Sequence, residues 1–293
     1  MKKILVIICA AVTLVACEKP VFDSIEDVQD EEVDVDALPK KKFTFTVKGD
    51  FGAATFTRGY LQAEGQSMTD LWVFDYVDDV CVQSVHKTKE DDDFGKPVMQ
   101  LAYGHHHVYF VASRGETPTL DADGHTIVWD TPKDTFWKDY DVTVVSTSNG
   151  NRAVTLDRVA TRLRIVVNDE VPANCASVCV TPAKWYYGID YVAGTPVSSQ
   201  AKERVVSVPA SYLGTTGQLA VSIFGISGSD EWTTSFSVKA KDTDNNVVGS
   251  VSVSGAPFKA NRSTDYGGNL FASNGGLDVS INDEWEQAFY MTW

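Results

Sequence analysis

Machinery for chemistry is scarce in this sequence, and so is positive charge. There is no Gly-x-Ser-x-Gly elbow for a serine nucleophile, no Ser-x-x-Lys pair in a helical setting and no glycine-rich phosphate loop. Enzymes of nucleophilic and phosphoryl transfer are built around such elements, so those classes have no foothold here. Asp and Glu are plentiful, yet no pair is set apart as the acid and base of a glycosidase. Lys and Arg number 25 against 40 Asp and Glu, a formal net charge of −15. Nucleic acid calls for a basic stripe and is excluded as a partner. The chain is read as a non-enzyme with no cofactor.

Apolar runs are short as well. Ile4–Val12 is too brief to span a bilayer and, behind Lys2 and Lys3, reads as the core of a signal peptide over residues 1–16. It ends in Leu14-Val15-Ala16-Cys17, which resembles the bacterial lipobox. That resemblance implies cleavage before Cys17 and lipid on its thiol and new amino group; several acyl chains on one residue anchor a protein stably. Loss of Lys2 and Lys3 with the signal takes the net charge from −15 to −17. Asp23–Asp36 carries eight acids in fourteen residues, a run that repels itself and cannot collapse. Residues 17–40 are therefore read as an acidic tether outside the fold.

Cysteine is sparse too. Beyond Cys9 in the signal and Cys17, only Cys81, Cys175 and Cys179 remain, an odd number that gives no disulfide framework. In a straight strand the Cα atoms of Cys175 and Cys179 stand about 13 Å apart, beyond bridging range, so buried free thiols are expected.

What the chain has in abundance is alternation. From Val159, the odd positions run Val159, Thr161, Leu163, Ile165 and Val167, and the even ones include Arg158, Arg162, Arg164 and Asn168. A period of two is the mark of a strand with one buried and one wet face. This strand, within Ala153–Asp169, is read as opening a second domain. Before it, Phe43, Phe45 and Val47 share a face, Ala54–Thr57 reads as a short strand, and Leu71–Val77 is a dense apolar run turned by Asp78-Asp79. Val98–Tyr103 and His107–Ala112 suggest a hairpin around Gly104, and Asp134–Tyr140 one helical turn. After it, apolar or alternating segments recur at Val178–Thr181, Arg204–Val208, Leu219–Ile226, Phe236–Ala240, Val247–Val253 and Leu277–Ile281. Many short strands parted by Gly, Asn, Asp and Pro indicate an all-β protein of two tandem β-sandwiches, residues 41–152 and 153–293.

Three groups of residues invite a ligand reading. His105 and His107 would share one face of a strand, yet no acid or cysteine lies at a spacing that completes a metal site, and none is assigned. Asp121-x-Asp123-Gly124 and Asp242-x-Asp244-x-Asn246 open like calcium loops, but both lack the ligands that should follow and read as turns. Trp185, Tyr186 and Tyr187 would make either a sugar-stacking platform or core packing. At the end, Trp285–Trp293 alternates, with Phe289, Met291 and Trp293 on one face. Such a tail either pairs within its own sheet or adds to a neighbour's open edge.

The stretch Leu156–Ala173, the segment Trp72–Tyr76, and Pro257–Phe271 together resemble the Bacteroidales fimbrillin family, lipoprotein subunits of type V pili. The lipobox, the tether and the terminal Leu277–Trp285 resemble it too. The resemblance spans the chain from Phe43 and rests on order and spacing. It implies two transthyretin-like Greek-key sandwiches, no enzymatic activity, and a place on the outer membrane at the cell surface. The implied partners are other pilus subunits, joined by strand exchange, and a host or bacterial surface ligand. In shaft subunits an arginine-directed protease removes the first strand, and Arg58 before Gly59 stands where such a cut would fall. Phe43, Phe45 and Val47 would then lie on the exchanged strand, and Phe289, Met291 and Trp293 on the donated one. A chain of this size resembles a minor or anchor subunit more than a shaft pilin. The alternative is a glycan-binding surface lipoprotein of a polysaccharide-uptake system.

Lipid on Cys17 has a direct check. Cys17→Ser should move the protein from the membrane to the soluble fraction, and a variant that still sediments with membranes would place the anchor elsewhere.

Overall fold

A computed structural model describes residues 38–48, 68–122, 124–272 and 275–282. Their backbone is almost entirely strand. The first strands are β1 (Lys40–Lys48), β2 (Asp70–Val77), β3 (Val80–Thr88), β4 (Val98–Ala102) and β5 (Gly104–Ser113). Next come β6 (Glu116–Leu120), β7 (Thr126–Thr131), β8 (Thr135–Val144), β9 (Asn151–Thr155) and β10 (Asp157–Arg158). They are followed by β11 (Ala160–Val167), β12 (Ser177–Pro182), β13 (Trp185–Asp190), β14 (Thr195–Gln200) and β15 (Arg204–Ser207). The last are β16 (Ala220–Ile226), β17 (Trp232–Lys241), β18 (Val247–Phe258), β19 (Ser263–Asn269) and β20 (Gly276–Asn282). A 3-10 turn at Ala210–Tyr212 is the one helical element among the described residues. The protein is all-β. The segment Ala54–Thr57 lies outside the described residues.

The described residues form five sheets. Sheet β4-β1-β9 faces sheet β10-β8-β5-β2-β3, and their inner faces meet in a core of Phe43, Phe45, Leu71, Val73, Met99, Leu101, Val108 and Phe110 among others. Sheets β16-β11-β19-β20 and β15-β12-β17-β18 face each other over a second core, centred on Leu163, Ile165, Val180, Val238 and Phe258. The fifth sheet, β14-β13-β7-β6, takes two strands from each half of the chain. Its central pair joins Gly188 to Val128, Ile189 to Ile127 and Asp190 to Thr126.

That fifth sheet covers the outer face of the five-stranded one. Trp72, Phe74, Tyr109 and Val111 point into it and meet Ile127, Trp129, Ile189 and Tyr191 in a third core. Odd residues of β2 and even residues of β5 serve the first core, and their alternates serve the third. A strand buried on both sides cannot afford a polar face, and this is why Leu71–Val77 is dense rather than alternating.

The turn at Asp78-Asp79 has φ of 47° and 62°, the paired positive values of a two-residue hairpin that suits strand twist. Gly104 does something else. β4 pairs with β1, whereas β5 pairs with β2 and β8, so Val98–Ala112 is no hairpin. Gly104, with φ of 144°, lets the chain cross from one layer to the other. Asp134–Tyr140 is not helical either: from Thr135 it is β8, paired with β5 over ten residues. Its Phe136, Trp137 and Tyr140 have the aromatic bulk that strands favour.

The segment Ala153–Asp169 divides into β9, β10 and β11. β9 bonds to β1, β10 to β8, and β11 enters the second sandwich between β16 and β19. Val159, Thr161, Leu163, Ile165 and Val167 are buried, as the alternation predicts. Arg162 is buried too, and so is most of the Arg158 side chain, against the expectation of a wet face. Arg158 is held by the Asp134 carboxylate at 2.8 Å, donates to Asn261 Oδ1 and lies over the Phe136 ring. Arg162 donates to Ser263 Oγ at 2.8 Å; burial pulls its pKa down, against the nearby charge of Asp265. Arg164 alone of the three meets water, paired with Asp265 at 3.2 Å. Cys175 and Cys179 are free and buried, and Cys81 is free and exposed.

Leu163, fully buried, and Arg164, half-exposed, are neighbours on one strand with opposite surroundings. Leu163→Ala should cost about 2–5 kcal/mol of stability by denaturant titration, and Arg164→Ala no more than about 1 kcal/mol. Equal losses would refute the orientation of β11.

Candidate functional site

β1 is the strand that the sequence reading tied to assembly. Phe43, Phe45 and Val47 are buried on its inner face. Phe45 meets Phe110 edge-on at 5.2 Å and Tyr140 at 5.9 Å, while Phe43 stacks beside it at 5.9 Å. The bonding is split along its length. Lys40–Thr44 pair antiparallel with β4, and Thr44–Lys48 pair parallel with β9. β1 therefore fills a groove between two strands that do not touch each other in the sheet order. The other residues of that reading, Cys17, Arg58, Gly59, Phe289, Met291 and Trp293, lie outside the described residues. The last described strand, β20, runs antiparallel to β19 at the edge of its sheet, with Val279 and Ile281 exposed.

The triple histidine sits at the start of β5, where alternation sends its members to two places. His106 points inward and is 1 % exposed. Its Nδ1 lies 2.7 Å from Asp75 Oδ1 on β2, and its Nε2 lies 2.9 Å from the Ala102 carbonyl on β4. Both contacts are to acceptors, so the ring serves as donor at each nitrogen and takes up a proton. Burial opposes that charge, but the bond and charge of Asp75 and the Ala102 carbonyl outweigh it, and the pKa of His106 stands above the ordinary histidine value. One side chain thus ties the five-stranded sheet to the β4-β1-β9 layer.

His105 and His107 point outward, beyond the edge of the fifth sheet. Their rings stand 5.1 Å apart and nearly perpendicular, and His107 stacks on Tyr109 at 6.0 Å. β8 brings two carboxylates to them. His105 Nε2 lies 3.0 Å from Asp141 Oδ1, and His107 Nδ1 lies 3.0 and 3.1 Å from the two oxygens of Asp139. Burial, with the negative charges of Asp139 and Asp79 nearby, pushes the Tyr109 hydroxyl up. Asp139 falls in Asp134–Tyr140, whose sequence suggests a helical turn, and Asp141 falls between that turn and the strand expected from Val142. Their period-two spacing was the signal that could have shown them on one strand face.

The remaining candidates resolve simply. Trp185 and Tyr187 are buried in the second core, and only Tyr186 of the trio is half-exposed, edge-on to Trp232 at 5.3 Å. Asp121 turns the β6–β7 hairpin, accepting from Gly124 N–H through its carbonyl; Asp123 lies outside the described residues. Asp242 accepts from the backbone N–H of Asp244 and Asn246 at 2.9 and 2.8 Å, the turn expected of it.

A family described as "Family of unknown function (DUF6562)" matches residues 117–292. Among solved structures, one from Bacteroides thetaiotaomicron, provisionally described as polysaccharide binding proteins (DUF1812), is 9% identical. It aligns over 83% of this chain and 96% of its own, with a TM-score of 0.51. A Bacteroides uniformis protein, provisionally described as a cell adhesion protein, is 12% identical over 84% of this chain and 99% of its own, at 0.49. The tip fimbrial protein Mfa3 from Porphyromonas gingivalis, truncated at its C-terminus, is 12% identical over 82% and 99%, at 0.45. At such identities the likeness is one of fold. The curated proteins contain no match to the chain.

The buried histidine gives the test of this region. Asp75→Ala should destabilise the fold by about 3–5 kcal/mol, because it strands a charged ring in the core. A loss below about 1 kcal/mol in chemical denaturation would mean that His106 is neutral and self-sufficient.

Proposed function

The chain belongs to that family of unknown function, and we propose that it is a structural and adhesive subunit of a cell-surface fimbria of the type V class. On this reading it is a minor or anchor subunit, held in the outer membrane by lipid on Cys17, and it joins other pilus subunits by strand exchange. The fimbrillin resemblance of the sequence supports it, and one structural observation carries it. β1 occupies a groove between β4 and β9, with Phe43, Phe45 and Val47 reaching into the first core beside residues of β2, β4 and β5. A strand seated that way can be supplied in cis, as here, or by a neighbour, because main-chain bonds give affinity and alternate side chains fill pockets. A subunit that keeps its own β1 closes its groove and terminates the exchange. That is the property of an anchor.

Glycan capture is the competing role. It calls for open aromatic faces, and Trp185 and Tyr187 spend theirs on the core. The shared fold with a protein provisionally assigned to polysaccharide binding keeps a glycan panel worth running.

The N-terminus of the protein from native membranes separates the outcomes. A start at lipidated Cys17, together with higher-order bands on gels of unheated outer membrane that are lost in a deletion strain, is expected. A start at Gly59 removes β1 and with it the anchor role. Binding to glycans with no association to any polymer would favour the competitor.

A further inference from the structure

We propose that His105, His107 and Asp141 form a binding site for a divalent transition metal, with Zn2+ as the natural occupant and Asp139 as the group that orients His107. Two imidazoles and one carboxylate are the donor set that suits zinc, copper or nickel and not calcium or magnesium, which want oxygen alone. The donor atoms of the three side chains lie within 4.8 Å of one another. Around a tetrahedral zinc, with bonds near 2.0–2.1 Å, donors stand roughly 3.4 Å apart. Modest rotamer adjustment on an open surface closes that difference, and His105 Nε2 and Asp141 Oδ1 are already at 3.0 Å.

The scaffold is rigid where the ligands are not. His105 and His107 are two residues apart on β5 and so share a face, and β8 sets Asp141 directly opposite His107. The strand pair carrying them runs for ten residues. Asp139 adds the feature that separates a built site from three neighbours. Both its oxygens are within 3.1 Å of His107 Nδ1. A carboxylate on one ring nitrogen fixes the tautomer and leaves the other nitrogen's lone pair for a metal, as is usual behind ligating histidines. The ring is also stacked on Tyr109. Three protein ligands leave at least one coordination position open to water, or to a donor on another molecule, on the part of that strand face where His105 and His107 are exposed or half-exposed.

The test uses the full chain without any histidine tag, solubilised in detergent and stripped with a chelator that is then removed. Calorimetric titration with zinc sulfate should give about one equivalent bound. His105→Ala and His107→Ala should each weaken binding by more than about tenfold, and Asp139→Asn by about 10–100-fold with the stoichiometry kept. His86→Ala, a surface histidine on another strand, should change nothing. Circular dichroism of each variant should match the parent, since all four side chains are exposed or half-exposed. Co2+ in place of Zn2+ should give visible absorption that His107→Ala abolishes. Absence of zinc binding, binding that survives the double loss of His105 and His107, or calcium binding tighter than zinc would each overturn the site.

Discussion

β2 and β5 are buried on both faces, and the rest of the molecule is arranged around that fact. Each lies in the middle layer of three, with Leu71, Val73, Val108 and Phe110 turned to one core and Trp72, Phe74, Tyr109 and Val111 to the other. Such strands stabilise two cores at once, at roughly 1.5–3 kcal/mol for each large side chain removed from water. The same strands must be covered twice, and the second cover is a sheet that neither half of the chain can make alone. β6 and β7 come from the first half, β13 and β14 from the second. The constraint also governs polar groups. Asp75 and His106 lie on these strands, facing inward, and they are tolerated because each satisfies the other and the Ala102 carbonyl takes the remaining donor.

The two sandwiches repeat one arrangement. β1 lies between an antiparallel partner, β4, and a parallel one, β9; β11 lies between antiparallel β16 and parallel β19. In the second sandwich β20 adds a further antiparallel strand beside β19. The strand placed most like β1 is thus β11, the stretch whose alternation is clearest in the sequence. Parallel neighbours are brought together by the fold over long separations and not by a hairpin. β4 and β9 bond to no other strand among the described residues, so a strand exchanged for β1 would have to pair with both.

Local signals were legible where local physics decides. The positive-φ turn at Asp78-Asp79, the buried set Leu163, Ile165 and Val167, the Asx turn at Asp242 and the free thiols of Cys175 and Cys179 follow from neighbours in the chain. What depended on distant pairing was not. Val98–Tyr103 and His107–Ala112 look like two arms of a hairpin, because nothing local reveals that β1 will claim the first and β2 the second. Arg158 and Arg162 look like surface residues because arginine usually is one. Their burial depends on Asp134 and Ser263, brought from 24 and 101 residues away. The aromatic trio at 185–187 had two readings, and only the second core decides between them.

The three consecutive histidines show how a single period of two turns one motif into two functions. On a helix they would fan out around the axis; on a strand the middle one must go where its neighbours cannot. His106 is sent into the core and held by an acid on β2, so its charge serves the joint between layers. His105 and His107 are sent outward, where the acids of β8 meet them and the covering sheet leaves them uncovered. Sequence spacing alone offers no third ligand, since Asp141 is 34 residues beyond His107. The antiparallel register of β5 and β8 reduces that separation to the width of one strand pair, about 5 Å. Inward acid and outward acid thus assign the roles, and both depend on the same strand remaining in register between β2 and β8. A one-residue slip of β5 would bring His106 out and bury two unpartnered rings, which is the strongest physical reason for that register to be unique.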